Sequence, residues 1–450
     1  MRLLDALLPD FRKARELLAI AWPVVLGMST HTVFLAVNTA FLGRVSPEAQ
    51  GVAALGDVTF LVVFLTLGGL GVGTQVLSAR RLGEGRPEKA GAVLDNALVL
   101  ALGLGSTASL LAVAFAPQLS AALFPNHELR ELGEPFLKVR FLGLLPSLLA
   151  SAFRGFFVGI ARTRHFLIAA FIRMALNVIL DYALIFGHFG LPRMGLLGVA
   201  WAGNIAFVAA ALYFVPVLLT ARYRGTFRAF RFSGLSLDVV KRLVRLSVPA
   251  GSRQFVGLGS YIGFFRIIAE MGTVDLAAAN VTRSVFNIFF MPVLGVGFAV
   301  SSLVSRNLGA GRPDRSESHT FSALHIAMWC TAVVFASSFA FAHLIARAFT
   351  DDPAVAWVAG ETFRYGGFFL IVMPLALVFA AALEGAGQIW FILAVETFGC
   401  AVYFACAWLF GIAWNGGLVA AYSAETVYWL LVGLLLGIRF FGRSWHRSKV

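Results

Sequence analysis

The chain has 450 residues, of which 59% are hydrophobic and only 13% are charged. A typical globular protein carries about 25% charged residues, so the polar groups here are too few to cover a soluble particle. The same composition excludes a disordered chain, because disordered chains are poor in apolar and aromatic residues. The sequence therefore predicts an integral membrane protein. The net charge is +13, and the positions of the cations along the chain indicate how the protein is oriented in the membrane.

The first segment, residues 1–16, mixes leucines with charged side chains such as Asp10, Arg12 and Arg15. It has no continuous apolar core followed by a small-residue cleavage site, so we do not expect a cleaved signal peptide. The pattern favours an amphipathic helix that lies on the cytoplasmic surface of the membrane.

Long apolar runs follow one another along the rest of the chain, and a membrane-spanning helix needs about 20 such residues. Twelve runs meet this requirement. They are residues 17–42, 51–78, 92–116, 135–160, 165–188, 195–220, 240–269, 276–304, 320–347, 357–383, 388–412 and 416–440. The even number predicts that both termini lie on the same side of the membrane.

The cations are concentrated in alternate loops. One set of loops contains, among others, Arg80, Arg86 and Arg312, whereas the other set contains fewer cations, Arg140 among them. Loops rich in Lys and Arg face the cytoplasm. We therefore expect a multi-pass protein of the cell (inner) membrane with a cytoplasmic linker at 221–239, a cytoplasmic basic tail at 441–450 and both termini in the cytoplasm.

An internal repeat divides the chain into two similar halves. Residues 69–87 and 295–313 are identical at 9 of 19 positions. Because six helices separate the copies, both copies enter the membrane in the same direction, as in parallel-repeat transporters. The sequence thus predicts two six-helix lobes, 17–220 and 240–440, around a central cavity.

Several of these features resemble one known family. Pro23 in the first span, the repeated LGxGRP loop, the segment from Asn177 to Asp181 and the glycines Gly195 and Gly198 are similar to multidrug and toxic compound extrusion (MATE) transporters, with the DNA-damage-inducible F-type branch as the nearest match. The resemblance implies an antiporter that exports amphipathic compounds against protons or sodium and needs no other cofactor. It also implies a kink at Pro23.

Asp181 is a candidate functional residue on physical grounds alone. A carboxylate inside a membrane helix costs ~2.5–3.5 kcal/mol on insertion scales and is a functional candidate by default. Asn177 and Arg173 precede it by four and eight residues, so all three lie on one helix face. A structural hydrogen-bond network between helices is the alternative interpretation.

The resemblance places the ion-coupling site at Asp181, Asn177 and Asn38. This chain departs from the family pattern at two positions, since Asn38 stands where the family has an aspartate and Gly203 where it has a threonine. Asn204, which follows Gly203, joins Arg173 as a cavity candidate. An asparagine oxygen still suits sodium, so a sodium ion near Asp181 is possible, and no other metal is expected.

Four further charged residues interrupt apolar runs and are candidates for a cavity or a gate. Asp57 and Arg283 occupy equivalent positions in the two copies, where we favour solvated charges near helix starts over a salt bridge or gate. Glu384 and Glu396 are candidate partners for arginines within the spans.

Three functions are compatible with such a chain to different degrees. The favoured one is ion-coupled export of small amphipathic molecules, and the alternative is a flippase or exporter of a lipid-linked or anionic substrate. An intramembrane enzyme is disfavoured because no HExxH motif occurs and the eight histidines are scattered, and the lack of a Walker motif indicates that ATP does not drive transport. We expect a monomer in the lipid bilayer, with no nucleic-acid partner.

Overall fold

The computed structural model describes residues 11–448, so part of the predicted surface segment 1–16 and the last two residues of the tail lie outside it. The described part consists of α-helices, short 3-10 and π segments and turns, without a β-strand. In chain order the α-helices are α1 Phe11–Leu42, α2 Pro47–Gly83, α3 Pro87–Ala114, α4 Ala116–Leu123, α5 His127–Leu142, α6 Leu144–Gly159, α7 Thr163–Phe186, α8 Leu196–Leu219, α9 Ala221–Phe227, α10 Leu237–Ala269, α11 Thr273–Gly309, α12 Pro313–Ala340, α13 Ala342–Arg347, α14 Pro353–Tyr365, α15 Phe369–Gly385, α16 Ile389–Trp408 and α17 Gly417–Phe441.

Eleven helical segments in the described residues are long and apolar enough to cross a membrane. The fourth segment joins α5 to α6 and the ninth joins α14 to α15. The predicted span 240–269 corresponds to α10, which has 33 residues but also several basic side chains. Its more polar composition, and not its length, therefore sets α10 apart from the other eleven.

The repeat found in the sequence recurs in the helices. The helices α2 and α11 both have 37 residues, and α3 and α12 both have 28. Equivalent helices begin 226 residues apart, as the first residues Pro47 and Thr273, Pro87 and Pro313, and Thr163 and Ile389 show. Both copies thus fold into the same succession of helices.

The described chain forms two compact units. The N-terminal unit comprises Leu26–Gly251, and the C-terminal unit combines the described residues up to Val25 with those from Ser252 onward. The division falls inside α1 and α10 and not in the predicted linker. Close packing explains this grouping, since a Cβ on Gly69 of α2 would lie 2.3 Å from the carbonyl oxygen of Ser247 in α10.

The predicted linker 221–239 is folded against the N-terminal unit. It begins with α9, and the carboxylate of Asp95 on α3 then accepts hydrogen bonds from the backbone N–H groups of Phe230 at 2.7 Å and Phe232 at 3.1 Å. The side-chain oxygen of Asn96 accepts a third bond, from the N–H of Ser236 at 3.0 Å. Two polar side chains of α3 therefore hold the linker in place.

Glycines allow α2 and α6 to approach each other very closely. A Cβ on Gly155 would lie 2.1 Å from the carbonyl oxygen of Gly71, and a Cβ on Gly159 would lie 2.5 Å from that of Gln75. The second copy repeats the latter contact, because a Cβ on Gly385 would lie 2.3 Å from the carbonyl oxygen of Ser301. Small residues at helix contacts are the usual means of close packing in membranes.

We expect Gly155→Ala to destabilise the protein. The added methyl group would overlap backbone that cannot move independently of its helix, and such overpacking costs about 1–3 kcal/mol. The measurement is the thermal unfolding midpoint in detergent, with Gly103→Ala as the control, because a Cβ at Gly103 meets nothing within 4 Å. Equal midpoints for the two variants would contradict the packing argument.

Candidate functional site

Asp181 lies on α7 in the interior of the N-terminal unit and is 0% exposed. The side-chain amide of Asn177, one helical turn earlier, donates a hydrogen bond of 2.8 Å to its Oδ2 atom. Its Oδ1 atom has no hydrogen-bond partner among the described residues. The helical spacing noted in the sequence thus produces a direct contact, and one carboxylate oxygen stays available for a proton or another ligand.

Asn38 lies on the part of α1 that packs near Asp181. Phe41, three residues after Asn38, contacts the rings of Tyr182 and Phe186 on α7, with centroid distances of 6.2 and 5.8 Å. Asn38 is 4% exposed, and its side-chain oxygen has no hydrogen-bond partner in the described part of the chain. The arrangement brings the turn of Asn38 near the turn of Asp181 without a hydrogen bond between them.

Asp57 of α2 forms an ion pair with Arg140 of α5. The Nε atom of Arg140 donates to the Oδ1 atom of Asp57 at 2.5 Å, and the guanidinium lies 4.0 Å from the centroid of the Phe60 ring. Both charged groups are close enough to Asp181 to interact with it electrostatically. Asp57, Arg140 and Asp181 therefore form one cluster of charges within the N-terminal unit.

The remaining candidates of this unit surround the same cluster. The side-chain amide of Asn204 on α8 donates to the carbonyl oxygen of Val139 at 2.6 Å, which ties α8 to the helix that carries Arg140. Arg173 lies over the ring of Phe207 at 5.0 Å. No carboxylate within residues 11–448 lies at ion-pair distance from Arg173.

A second cluster of charges lies in the C-terminal unit, around Arg253 of α10. Its Nη1 atom lies 2.8 Å from a carboxylate oxygen of Glu384, and its Nη2 atom lies 2.8 Å from a carboxylate oxygen of Glu396. Its Nε atom makes a further hydrogen bond of 2.9 Å to Glu396. One arginine thus joins α10, α15 and α16.

A cavity of about 300 Å³ adjoins this second cluster. Its lining includes Arg283, Glu396, Glu425 and Trp429. The carboxylate of Glu425 accepts hydrogen bonds from Trp429 at 2.9 Å and Tyr403 at 3.2 Å and pairs with Arg283 at 3.4 Å. The acidic groups that face the cavity are therefore already paired.

The structure corrects three expectations about these charges. Asp57 and Arg283 are not solvated residues near helix starts, because α2 and α11 begin at Pro47 and Thr273, ten residues earlier. Both form ion pairs with residues of their own unit. Arg140, assigned to an outer loop, lies within α5 and is 9% exposed. Sequence patterns missed its role because its partner is 83 residues away.

Pro23 lies inside α1, and the helix continues on both sides of it from Phe11 to Leu42. A proline removes one backbone hydrogen bond from a helix interior. The division of the chain into units falls two residues later, between Val25 and Leu26. Pro23 thus marks the point at which α1 passes from one unit to the other.

Comparison with known proteins identifies the family. The sequence model of the family described as MatE matches residues 23–183 and again residues 249–409. This chain belongs to the MatE family. The second match begins and ends 226 residues after the first, which is the offset of the internal repeat. The family model therefore matches both copies of the internal repeat.

Named relatives of this MatE chain are multidrug resistance proteins. It is 25% identical over 385 residues to the "Probable multidrug resistance protein NorM" of Geobacillus kaustophilus, a match that covers 85% of this chain and 84% of the relative. It is 26% identical over 372 residues to the "Multidrug resistance protein PmpM" of Pseudomonas aeruginosa, with 82% and 78% covered.

Solved structures of the same fold resemble the chain over nearly its whole length. A crystal structure of MATE in the straight conformation has a TM-score of 0.87 at 20% identity and covers 96% of both chains. A transporter from Pyrococcus furiosus, described by the reverse polarity of its binding pocket, has a TM-score of 0.86 at 20% identity over 96% of both chains. The MatE chain is an all-α, multi-pass membrane transporter with the twelve-helix fold.

Proposed function

We propose that this chain exports amphipathic small molecules by antiport with protons through alternating access, with Asp181 as the coupling residue. The observation that carries the proposal is the environment of Asp181. It is fully buried in a membrane helix, one oxygen accepts a bond from Asn177, and the other has no partner in the described structure. A group in this position can bind and release one proton while the surrounding helices change conformation.

Two features favour a proton over sodium as the coupling ion. A proton neutralises the Asp181 carboxylate, and a neutral group is far less costly than a charge in an apolar interior. A sodium ion brings the same charge but must be held by several oxygen ligands. A proton needs only the Oδ1 atom of Asp181, which has no partner in the described structure. Asn38 offers an amide oxygen in place of a second carboxylate, so it adds no negative charge to hold sodium.

The test is transport of ethidium, a fluorescent amphipathic cation, in proteoliposomes that contain the purified protein. We expect an imposed pH gradient to drive ethidium uphill and a sodium gradient of equal size to have no effect. Uphill transport driven by sodium alone would assign sodium as the coupling ion. Ethidium transport that is unaffected by either the pH gradient or the sodium gradient would contradict antiport.

Arg173 favours a second candidate, the export of an anionic or lipid-linked substrate. It lies near Arg140 and Arg154, and none of its neighbours within ion-pair distance in the described chain is a carboxylate. A partly buried cation without a counter-ion is costly, so a substrate anion would be stabilised beside it. Competition between ethidium and an anionic dye such as fluorescein in the same proteoliposomes discriminates the two candidates, since only an anion-selective protein would transport fluorescein.

We also propose the finer assignments that the sequence suggests. Both termini and the linker 221–239 lie in the cytoplasm of a cell with an inner membrane, the lobes are 17–220 and 240–440, and the protein acts as a monomer. Pro23 provides a bend in α1, and the segment Asn177–Asp181 supports assignment to the DNA-damage-inducible F-type branch.

The cytoplasmic position of the C-terminus is tested with a fusion to green fluorescent protein. The fusion should fluoresce, because green fluorescent protein folds in the cytoplasm and not after export.

A further inference from the structure

Arg140 has unused hydrogen-bonding capacity next to the coupling site. Its Nε atom donates to Asp57, whereas its Nη1 atom is buried and has no hydrogen-bond partner among the described residues. A guanidinium presents five N–H donors in a rigid fork. An unsatisfied N–H of a cation in a membrane interior is costly, so a second acceptor for Nη1 is to be expected nearby.

Asp181 is the nearby acidic side chain that has an acceptor atom without a hydrogen-bond partner. Its Oδ1 atom is also buried and unpartnered in the described structure, and Arg140 is close enough to interact with its charge. Two complementary buried groups, one donor and one acceptor, are therefore unsatisfied in the same cluster. A movement of the Arg140 side chain toward α7 would satisfy both.

Gly203 of α8 leaves the space for such a movement. A Cβ at this position would lie 3.2 Å from the Nη1 atom of Arg140 and 4.0 Å from the side-chain oxygen of Asn177. A side chain at position 203 would therefore contact both Arg140 and Asn177, the residue that is hydrogen-bonded to Asp181. A threonine there, as the family resemblance would suggest, would occupy this space.

We propose that Arg140 exchanges between Asp57 and Asp181 and acts as an internal cation that competes with the coupling proton. The observed pair of Arg140 with Asp57 belongs, in this proposal, to the state in which Asp181 is protonated. When Asp181 loses its proton, Arg140 moves through the space at Gly203 and pairs with the Asp181 carboxylate. The proposal rests on the proposed role of Asp181 in coupling and adds a positioning residue to it.

The exchange keeps a cation beside Asp181 when its carboxylate is charged. Protonated Asp181 is neutral and leaves the Asp57–Arg140 pair intact, whereas ionised Asp181 takes Arg140 and leaves one net negative charge on the cluster, at Asp57. The charged groups facing Asp181 are Asp57 from α2 and Arg140 from α5. On neighbouring helices, Arg173 faces Phe207 and Arg154 lies near Ser151, and α8 contributes no charged side chain.

The experiment follows the protonated carboxyl band of Asp181 by infrared spectroscopy as the pH is changed, in the full-length protein in liposomes. The band is assigned by its loss in Asp181→Asn. An opposite charge at close range favours ionisation by about 1–3 pH units. Arg140→Gln should therefore shift the titration midpoint to higher pH, by at least a tenfold change in proton concentration. Asp57→Asn should shift the midpoint to lower pH by at least the same factor, because Arg140 is then free to stay on Asp181.

The double variant Asp57→Asn/Arg140→Gln decides between exchange and simple additive electrostatics. If Arg140 exchanges, most of the effect of Asp57→Asn requires Arg140, and the double variant should titrate closer to Arg140→Gln than to the wild type. If the two charges act independently, their opposite shifts should cancel and the midpoint should return to that of the wild type, which would overturn the proposal. Non-additivity of neighbouring residues is measured by this kind of cycle.

Gly203→Ala tests the same proposal without a change of charge and without removing a partner. We expect it to hold Arg140 on Asp57 and to move the midpoint in the same direction as Arg140→Gln. Arg140→Lys keeps the cation and should retain a midpoint near that of the wild type. An unchanged midpoint in Gly203→Ala would overturn the exchange. Since this titration needs no transport, loss of the exchange with intact proton-driven ethidium transport would leave the proposed function standing.

Discussion

Asp181→Asn is expected to abolish proton-driven transport while the protein still folds and inserts. The amide cannot release or accept a proton in the physiological range, but its oxygen can still accept the hydrogen bond of 2.8 Å from Asn177. Removing a buried charge also removes its desolvation cost. The measurement is ethidium accumulation in proteoliposomes under a pH gradient, which should fall to the level of protein-free liposomes.

The control for this variant is Asp238→Asn, which removes an exposed carboxylate in the first turn of α10. It should transport ethidium like the wild type. Full gradient-driven transport by Asp181→Asn would show that Asp181 is not the coupling residue. Glu384 and Glu396 of the C-terminal unit would then be the next candidates. Loss of transport together with loss of folded protein would assign Asp181 a structural role.

Arg253→Met is expected to cause the largest loss of stability. Arg253 makes ion pairs of 2.8 Å with both Glu384 and Glu396, and its removal leaves two carboxylates inside the C-terminal unit without their cation. Breaking a buried ion pair by removing one partner costs about 3–5 kcal/mol. We expect a lowered thermal unfolding midpoint in detergent and a reduced yield of monodisperse protein.

Arg266→Met on the same helix is the matched control. Arg266 pairs with Glu270 at 3.6 Å, but both side chains are exposed, at 74% and 49%, and exposed pairs contribute about 0–1 kcal/mol. The triple variant Arg253→Met/Glu384→Gln/Glu396→Gln should recover part of the lost stability, because it removes the uncompensated charges. Equal unfolding midpoints for Arg253→Met and Arg266→Met would show that the cluster does not hold α10, α15 and α16 together.

Much of the fold is predictable from sequence because hydropathy and repetition are local properties. The predicted spans correspond to helices, and the repeat of residues 69–87 at 295–313 recurs as helices of equal length. The helix ends were less predictable, since α2 and α11 begin several residues before their apolar cores. The predicted single span 135–160 is also two helices that meet at Gly143.

The site was predictable where its residues share one helix and not where they meet across the fold. Asn177 and Asp181 are four residues apart on α7, so their contact follows from helix geometry alone. Arg140 was assigned to a loop because cations usually lie outside the membrane. Its pairing with Asp57 depends on how α2 and α5 pack, which a single sequence does not encode locally. Asp57, a carboxylate inside an apolar run, was the available sign that a partner had to exist.

The central claim is that Asp181 couples substrate export to proton movement, and the most direct measurement is the reverse reaction. Proteoliposomes are loaded with ethidium and a pH-sensitive dye and diluted into ethidium-free buffer without an ion gradient. The account predicts that ethidium leaving through the wild-type protein drives protons inward and acidifies the lumen, and that Asp181→Asn shows no acidification. Ethidium efflux through the wild-type protein without any change of internal pH would contradict it.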